Sequence, residues 1–157
     1  REPYRPGKFD KPKALDLGIP EGPLFSKLQK GESVTLPDGT EIQPDMVLGP
    51  KRPGRSIVIS GDTKPVDSMI AFSKHADVLI HEATFDDSLR ERANEYGHST
   101  AKQAAEIASK AAVEKLVLTH LSPRYLNIRD LKKEAEELFK PVVIPRDLDV
   151  LSIQLKK

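Results

Sequence analysis

The strongest constraint in this sequence is an alternation of short apolar runs with helix-compatible segments, which begins at residue 55. Three runs rich in β-branched and aliphatic residues occupy 55–60, 77–83 and 115–120. Each run ends in a turn, and a stretch with helical spacing follows it. Because strands and helices that alternate along a chain pack as layers, residues 55–157 are predicted to form an α/β domain.

Local signals place the other elements of this domain. Thr100 precedes an alanine-rich stretch and stands three residues before Gln103, which predicts a helix that starts with a capping box. Asn127 is a second candidate cap, and Pro65 suits the first turn of another helix. The predicted helices are 65–74, 86–96, 101–112 and 128–139, and two last strands are predicted at 141–145 and 149–155.

Residues 1–54 have a different character, since they hold nine of the 13 prolines and seven of the nine glycines. Proline and glycine at this density predict turns and short elements there, without long helices or strands. A hairpin is predicted over 36–42, with Asp38-Gly39 as its turn, and a short helix around Leu24–Gln29. Residues 1–30 carry seven Lys/Arg against four Asp/Glu. Two interpretations stay open: a solvated linker, or a protruding arm that touches an anionic partner.

Composition excludes several classes of protein. The net charge of +1 does not indicate a nucleic-acid binder, and the absence of cysteine excludes disulfides and thiolate metal sites and fits a reducing cytosol. There is no run of about 18 apolar residues to span a membrane. The first ten residues lack both a signal-peptide core and an initiator Met, so we expect this chain to be the middle of a longer, cytoplasmic protein.

Polar side chains stand at the ends of three successive predicted strands. They are Asp62, the pair His81-Glu82, and His120, and His98 precedes a helix start. If the strands are parallel, these ends share the edge of the sheet where sites form in α/β proteins. Each residue also has a structural interpretation: Asp62 as a turn residue after Gly61, and His81 as a buried, hydrogen-bonded histidine.

These residue types support metal-dependent phosphodiester chemistry. Carboxylate oxygens and imidazole nitrogens suit Zn²⁺ or Mn²⁺, and a carboxylate can bridge two ions. A Glu82–His98 pair could act as an oriented acid, and Arg124 could hold a phosphate by a bidentate fork. The chain has only four histidines and no H-x-H pair, so on its own it is predicted to hold half of a metal site.

A family resemblance rests on three stretches: SGDTKPVDSMIAFSKHADVLIHEATF (60–85), GHSTAKQAAEIA (97–108) and LVLTHLSPRY (116–125). Together they resemble the second half of the tRNase Z (ribonuclease Z) family, tRNA 3′-processing endoribonucleases of the metallo-β-lactamase superfamily. The resemblance implies half of a four-layer αβ/βα sandwich, with pre-tRNA as substrate, two zinc ions in the complete site, and a homodimer.

The resemblance also implies residue roles. Asp62 matches a zinc-bridging carboxylate, His120 a zinc ligand, and Glu82 with His98 the pair that protonates the leaving oxygen. Arg124 is expected to contact phosphate. Residues 1–54 resemble the segment that holds the family's tRNA-binding arm, or exosite, followed by a hairpin. The arm residues expected to contact tRNA phosphates are Lys8, Lys11, Lys13, Lys27 and Lys30.

The family's H-x-H-x-D-H motif is not in this chain. We therefore expect the first half of the enzyme to be a separate partner or a missing segment, and this chain alone to be inactive. An alternative of a different class is a non-catalytic RNA-binding module derived from the same fold.

Overall fold

The chain forms two compact units in the computed structural model, which describes residues 1–156. The N-terminal unit comprises residues 2–54 with Leu155 and Lys156, and the sheet unit comprises Arg1 with residues 55–154. The change between them coincides with the change in composition after residue 54. Among the residues described, no helix is long and apolar enough to cross a lipid bilayer.

A four-stranded sheet is the frame of the sheet unit. Two strands form in the N-terminal unit, β1 (Val34–Thr35) and β2 (Glu41–Ile42), so those of the sheet are numbered β3 (Ile57–Ile59), β4 (Val78–Glu82), β5 (Leu116–Thr119) and β6 (Val142–Val143). Their order is β3-β4-β5-β6, and every neighbouring pair is parallel. The prediction of a layered α/β domain is confirmed.

Helices join these strands and provide one side of the core. Two α-helices are described in the N-terminal unit, α1 (Lys11–Asp16) and α2 (Pro23–Gln29), and those of the sheet unit are α3 (Asp67–Ser73), α4 (Arg90–Glu95), α5 (Ala101–Ala111) and α6 (Ile128–Glu136). α5 packs against α3 and α6 and against β4 and β5. The alanines of α5 have small side chains and therefore allow this close approach. They are fully buried in one core with strand residues such as Leu79, Leu116 and Leu118.

Two of the predicted helix starts, at Thr100 and Asn127, are confirmed by their hydrogen bonds. The amide of Gln103 donates to Thr100 Oγ1 at 3.1 Å, and the amide of Thr100 donates to Gln103 Oε1 at 3.0 Å. This is the capping box expected from the sequence. Asn127 caps α6 by accepting from the amide of Arg129 at 3.2 Å. α5 is therefore anchored at the end that faces the candidate site residues.

The prediction of a strand over 149–155 is wrong. These residues form no strand, and the segment is held instead by the Arg55 guanidinium, which donates to the Ile153 carbonyl at 3.2 Å. Alternating apolar residues satisfy only one condition for a strand, since the backbone also needs a neighbouring strand. Three helices are shorter than predicted: α3 begins at Asp67, α6 ends at Glu136, and α4 begins at Arg90, after a 3₁₀ turn at Asp87–Leu89.

The N-terminal unit has its own apolar core. The core residues are Ala14, Ile19, Leu28, Val34, Leu36, Ile42 and Val47. β1 and β2 pair as the predicted hairpin, α2 matches the predicted helix, and α1 was not predicted. Because this segment packs around a core, the interpretation of residues 1–54 as a solvated linker is wrong.

Candidate metal and proton-transfer site

The parallel sheet brings the candidate residues to one edge. Glu82, the last residue of β4, pairs in register with Thr119 of β5, so His120 follows directly beside it. β3 pairs with β4 up to Ile59, and Asp62 lies three residues beyond that strand end. The condition on which the site prediction depended, three parallel strands, is thus met.

Two tight changes of backbone direction carry the chain past the strand ends. Gly61 has φ of +63° and His120 has φ of +55°, both in the left-handed region. Glycine adopts this region freely, whereas a histidine there is uncommon and costs free energy. Strained conformations of this kind cluster at functional sites, where the surrounding contacts maintain them.

Asp62 and His120 meet at a distance that suits one metal ion. Asp62 Oδ2 lies 3.6 Å from His120 Nε2, within the roughly 5 Å expected of two ligands of one site. Two ligands of a tetrahedral ion with bonds of about 2.1 Å lie roughly 3.4 Å apart. A ring nitrogen of His98 also lies within 4.8 Å of a carboxylate oxygen of Asp62 and of a ring nitrogen of His120. The carboxylate oxygen of Asp62 and the imidazole nitrogen of His120 are donors that fit Zn²⁺ or Mn²⁺.

Glu82 is the most constrained side chain of the site. Its side chain is 2% exposed. Oε1 accepts from the amides of Thr63 and Ser99 at 3.1 and 3.0 Å, and it lies 3.0 Å from His98 Nδ1. Oε2 accepts from the amide and the hydroxyl of Thr84 at 3.0 and 2.8 Å. The carboxylate is therefore held rigidly, and it holds His98 by one ring nitrogen, which leaves Nε2 for other contacts.

Thr84 is a site residue that the sequence analysis missed. Besides its bonds to Glu82, its hydroxyl oxygen lies 2.8 Å from His120 Nδ1 and 3.3 Å from His98 Nδ1. The side chains of three candidate residues thus converge on one hydroxyl. The only sequence signal was its place two residues after Glu82 in the HEAT stretch.

His81 has the structural role that was one of its two interpretations. It is fully buried, and its Nδ1 lies 2.7 Å from the Glu82 carbonyl oxygen. Because a carbonyl can only accept, Nδ1 carries a proton, and the buried Nε2 has no hydrogen-bond partner among the residues that the structure describes. Burial lowers the pKa of His81 below the ordinary value of 6.5.

A groove of about 420 Å³ opens beside His98 and Thr84, and Arg124 borders it. The Arg124 guanidinium lies 4.9 Å above the ring centroid of Phe85, and its Nε donates to Ser122 Oγ at 3.1 Å. Arg92 and the exposed Tyr96 also line this groove. Among the described residues that line the groove, two carry a guanidinium group and none carries a carboxylate, a charge pattern that suits an anion.

The five lysines predicted to bind substrate lie in the N-terminal unit and are exposed. One of them is paired, since Lys11 Nζ lies 2.8 Å from Glu21 Oε1. Lys30 borders a cavity of about 480 Å³ within the same unit, together with Arg5 and Lys51. The five predicted residues are Lys8, Lys11, Lys13, Lys27 and Lys30.

Comparison with known proteins shows the family. A profile of the Beta-lactamase superfamily domain matches residues 37–121. Ribonuclease Z from Gemmatimonas aurantiaca is 50% identical over 93% of this chain and 47% of its own length. Ribonuclease Z from Methanosarcina acetivorans is 47% identical over 95% of this chain and 49% of its own length. The chain spans about half the length of the curated relatives that it matches.

Solved structures agree with this assignment. The short form of human tRNase Z superposes with a TM-score of 0.52 and 38% identity, covering 65% of this chain and 35% of that chain. The metallo-beta-lactamase fold protein YhfI from Bacillus subtilis gives a TM-score of 0.54 and 33% identity, covering 58% and 36%. The chain therefore belongs to the metallo-β-lactamase superfamily and, within it, to the ribonuclease Z (tRNase Z) family.

Proposed function

We propose that the protein of which this chain is part is a metal-dependent endoribonuclease that removes the 3′ trailer from pre-tRNA. The observation that carries the proposal is the approach of Asp62 and His120 to 3.6 Å, directly beside a buried Glu82 that holds His98. A ligand pair next to an anchored acid is what hydrolysis of a phosphodiester requires. The relatives named ribonuclease Z support the same activity.

Asp62 and His120 are the residues of this chain that would hold the metal. Two zinc ions in the complete site, or manganese in their place, would supply an activated water and neutralise charge on the phosphate. Asp62 offers two carboxylate oxygens, so it can serve both ions. The remaining ligands would come from the first half of the enzyme.

His98 is proposed to donate the proton to the departing ribose oxygen. Nδ1 of His98 lies 3.0 Å from Glu82 Oε1, so the imidazole is held by one nitrogen and Nε2 is left for the substrate. An acid in this position must be oriented, and the buried carboxylate provides the orientation. Arg124 is proposed to bind a phosphate of the substrate, because its guanidinium is held over Phe85 at the border of the groove beside His98.

The sheet offers an apolar surface for the first half of the enzyme. Val58 points into the helix-covered core, whereas Ile57 and Ile59 on the other face of β3 are 48% and 68% exposed. Burying such side chains contributes roughly 25 cal/mol for each Å² removed from water. A second sheet packed here would complete the four-layer sandwich, which is the proposed arrangement of the whole enzyme.

Residues 1–54 are proposed to be the tRNA-binding arm with its connecting hairpin, and residues 55–157 the second half of the catalytic domain. The five exposed lysines would contact phosphates of the tRNA body, an interaction that recognises shape and weakens with salt. The complete enzyme is further proposed to act as a homodimer in the cytoplasm. A chain without cysteine fits this compartment, because it needs no disulfides.

The test is cleavage of pre-tRNA by the complete protein and by its H98A variant. We expect the variant to retain its metal and to lose about 10²–10⁴-fold in kcat. Unchanged kcat, with chemistry shown to limit the rate, would remove His98 from the mechanism. Retention of pre-tRNA without any cleavage by the metal-loaded wild type would favour the non-catalytic RNA-binding module instead.

A further inference from the structure

Thr84 occupies the centre of the polar network at the site. Its side chain is almost fully buried, and its Oγ1 lies 2.8 Å from Glu82 Oε2, 2.8 Å from His120 Nδ1 and 3.3 Å from His98 Nδ1. What it can do follows from the hydrogen that a hydroxyl carries.

The direction of each hydrogen bond can be assigned from donor and acceptor capacity. A hydroxyl has one hydrogen to donate and two lone pairs with which to accept. Glu82 Oε2 already accepts from the amide of Thr84, and a carboxylate oxygen only accepts, so the hydroxyl hydrogen is directed to Oε2. Toward His120 the hydroxyl oxygen is then an acceptor, and the hydrogen of that bond must come from His120 Nδ1.

We propose that Thr84 is a positioning residue that relays the carboxylate of Glu82 to His120 and holds this imidazole in the tautomer protonated at Nδ1. The lone pair of Nε2 then points toward Asp62, where a metal ligand is needed. Glu82 thereby orients both histidines, His98 directly through Oε1 and His120 through the hydroxyl of Thr84. Carboxylate–histidine relays of this kind set the tautomer of metal ligands in proteins.

Without this hydroxyl, nothing in the network requires the proton of His120 to stay on Nδ1. A proton on Nε2 would occupy the lone pair that faces Asp62, and a metal ion could bind there only by displacing that proton. The inference rests on the proposed role of His120 as a metal ligand, but the tautomer itself exists without metal and without substrate. It can therefore be measured separately from activity.

The experiment is long-range ¹H–¹⁵N correlation NMR of the metal-free, ¹⁵N-labelled chain at about pH 8.5, where an ordinary imidazole is neutral. In the wild type we expect a protonated Nδ1 and an unprotonated Nε2 for His120. In Thr84→Val, which keeps the shape but lacks the hydroxyl, we expect the fraction of His120 protonated at Nε2 to rise. Thr84→Ser should restore the wild-type pattern.

A matched control is Thr119→Val, since this threonine directly precedes His120 but its hydroxyl lies 3.5 Å from the His81 carbonyl. It should leave the tautomer of His120 unchanged. In the complete protein, Zn²⁺ titration should give about 10–100-fold weaker binding for Thr84→Val and near wild-type binding for Thr84→Ser.

Three results would overturn the proposal: a wild-type His120 protonated at Nε2, an unchanged tautomer in a folded Thr84→Val variant, or the same change in Thr119→Val. If Thr84→Val does not fold, the tautomer of His120 in the wild-type spectrum is the deciding result. If the tautomer behaves as expected but the complete, metal-loaded protein does not cleave pre-tRNA, the proposed function fails and the role of Thr84 stands.

Discussion

Replacing Glu82 by Gln should destabilise the sheet unit strongly although the two side chains have the same shape. All the groups bonded to the carboxylate can act as donors: the amides of Thr63, Ser99 and Thr84, the Thr84 hydroxyl, and His98 Nδ1. A carboxamide has only one accepting oxygen. Its NH₂ group must therefore face at least one N–H that cannot accept.

The least costly orientation places the amide oxygen toward Thr63, Ser99 and His98, and the NH₂ group toward Thr84. The hydroxyl of Thr84 can turn to accept, but its buried amide is left without a partner, which costs about 1–3 kcal/mol. The two amide bonds that remain lose a charged acceptor, at about 1 kcal/mol each. Together these effects predict a loss of about 4 kcal/mol.

The assay is urea unfolding of the chain, followed by circular dichroism, for the wild type, E82Q and E95Q. Glu95 is exposed at the end of α4, so E95Q removes the same charge without disturbing buried donors, and it should change the free energy of unfolding by less than about 0.5 kcal/mol. A cost below about 1 kcal/mol for E82Q, with an unchanged m-value, would refute the view that this carboxylate organises the site.

Three other predictions address different parts of the molecule. Gly7→Ala should destabilise the N-terminal unit, because the added Cβ would lie 1.8 Å from the Gly49 carbonyl oxygen. The control is Gly18→Ala, where the added Cβ meets nothing within 4 Å and only the positive φ causes strain; equal losses of unfolding free energy in the two variants would contradict the predicted clash. His81 should make the chain less stable as the pH falls below about 6.5, because its folded-state pKa is lowered and the unfolded state takes up the proton first; a stability curve between pH 7.5 and 5.5 that is identical in H81L would contradict this. Changing Lys8, Lys13, Lys27 and Lys30 to Glu in the complete enzyme should raise KM for pre-tRNA and flatten its salt dependence while leaving hydrolysis of a small phosphodiester unchanged; equal losses on both substrates would assign the segment to the core fold.

Much of the sheet unit could be predicted from the sequence because its signals are local. The capping box of Thr100 with Gln103 and the cap at Asn127 involve residues two or three positions apart, so they operate wherever the chain lies in space. The apolar runs that became β3, β4 and β5 were equally visible. The polar residues that follow these runs, Asp62, Glu82 and His120, and His98 before α5, were predicted to share one edge of the sheet, and the structure brings them together.

The rest depended on neighbours that are distant in sequence. Alternating apolar residues at 149–155 predicted a strand, but a strand needs a partner backbone, and the fold provides none there. The core of the N-terminal unit combines single apolar residues separated by prolines and glycines, so no periodic sequence pattern predicted this core. Likewise, Thr84 contacts His120 across 36 positions, between the ends of two strands. Sequence alone determined which chemical groups this chain possesses, whereas the parallel order of the strands decided which of those groups lie close enough to form hydrogen bonds.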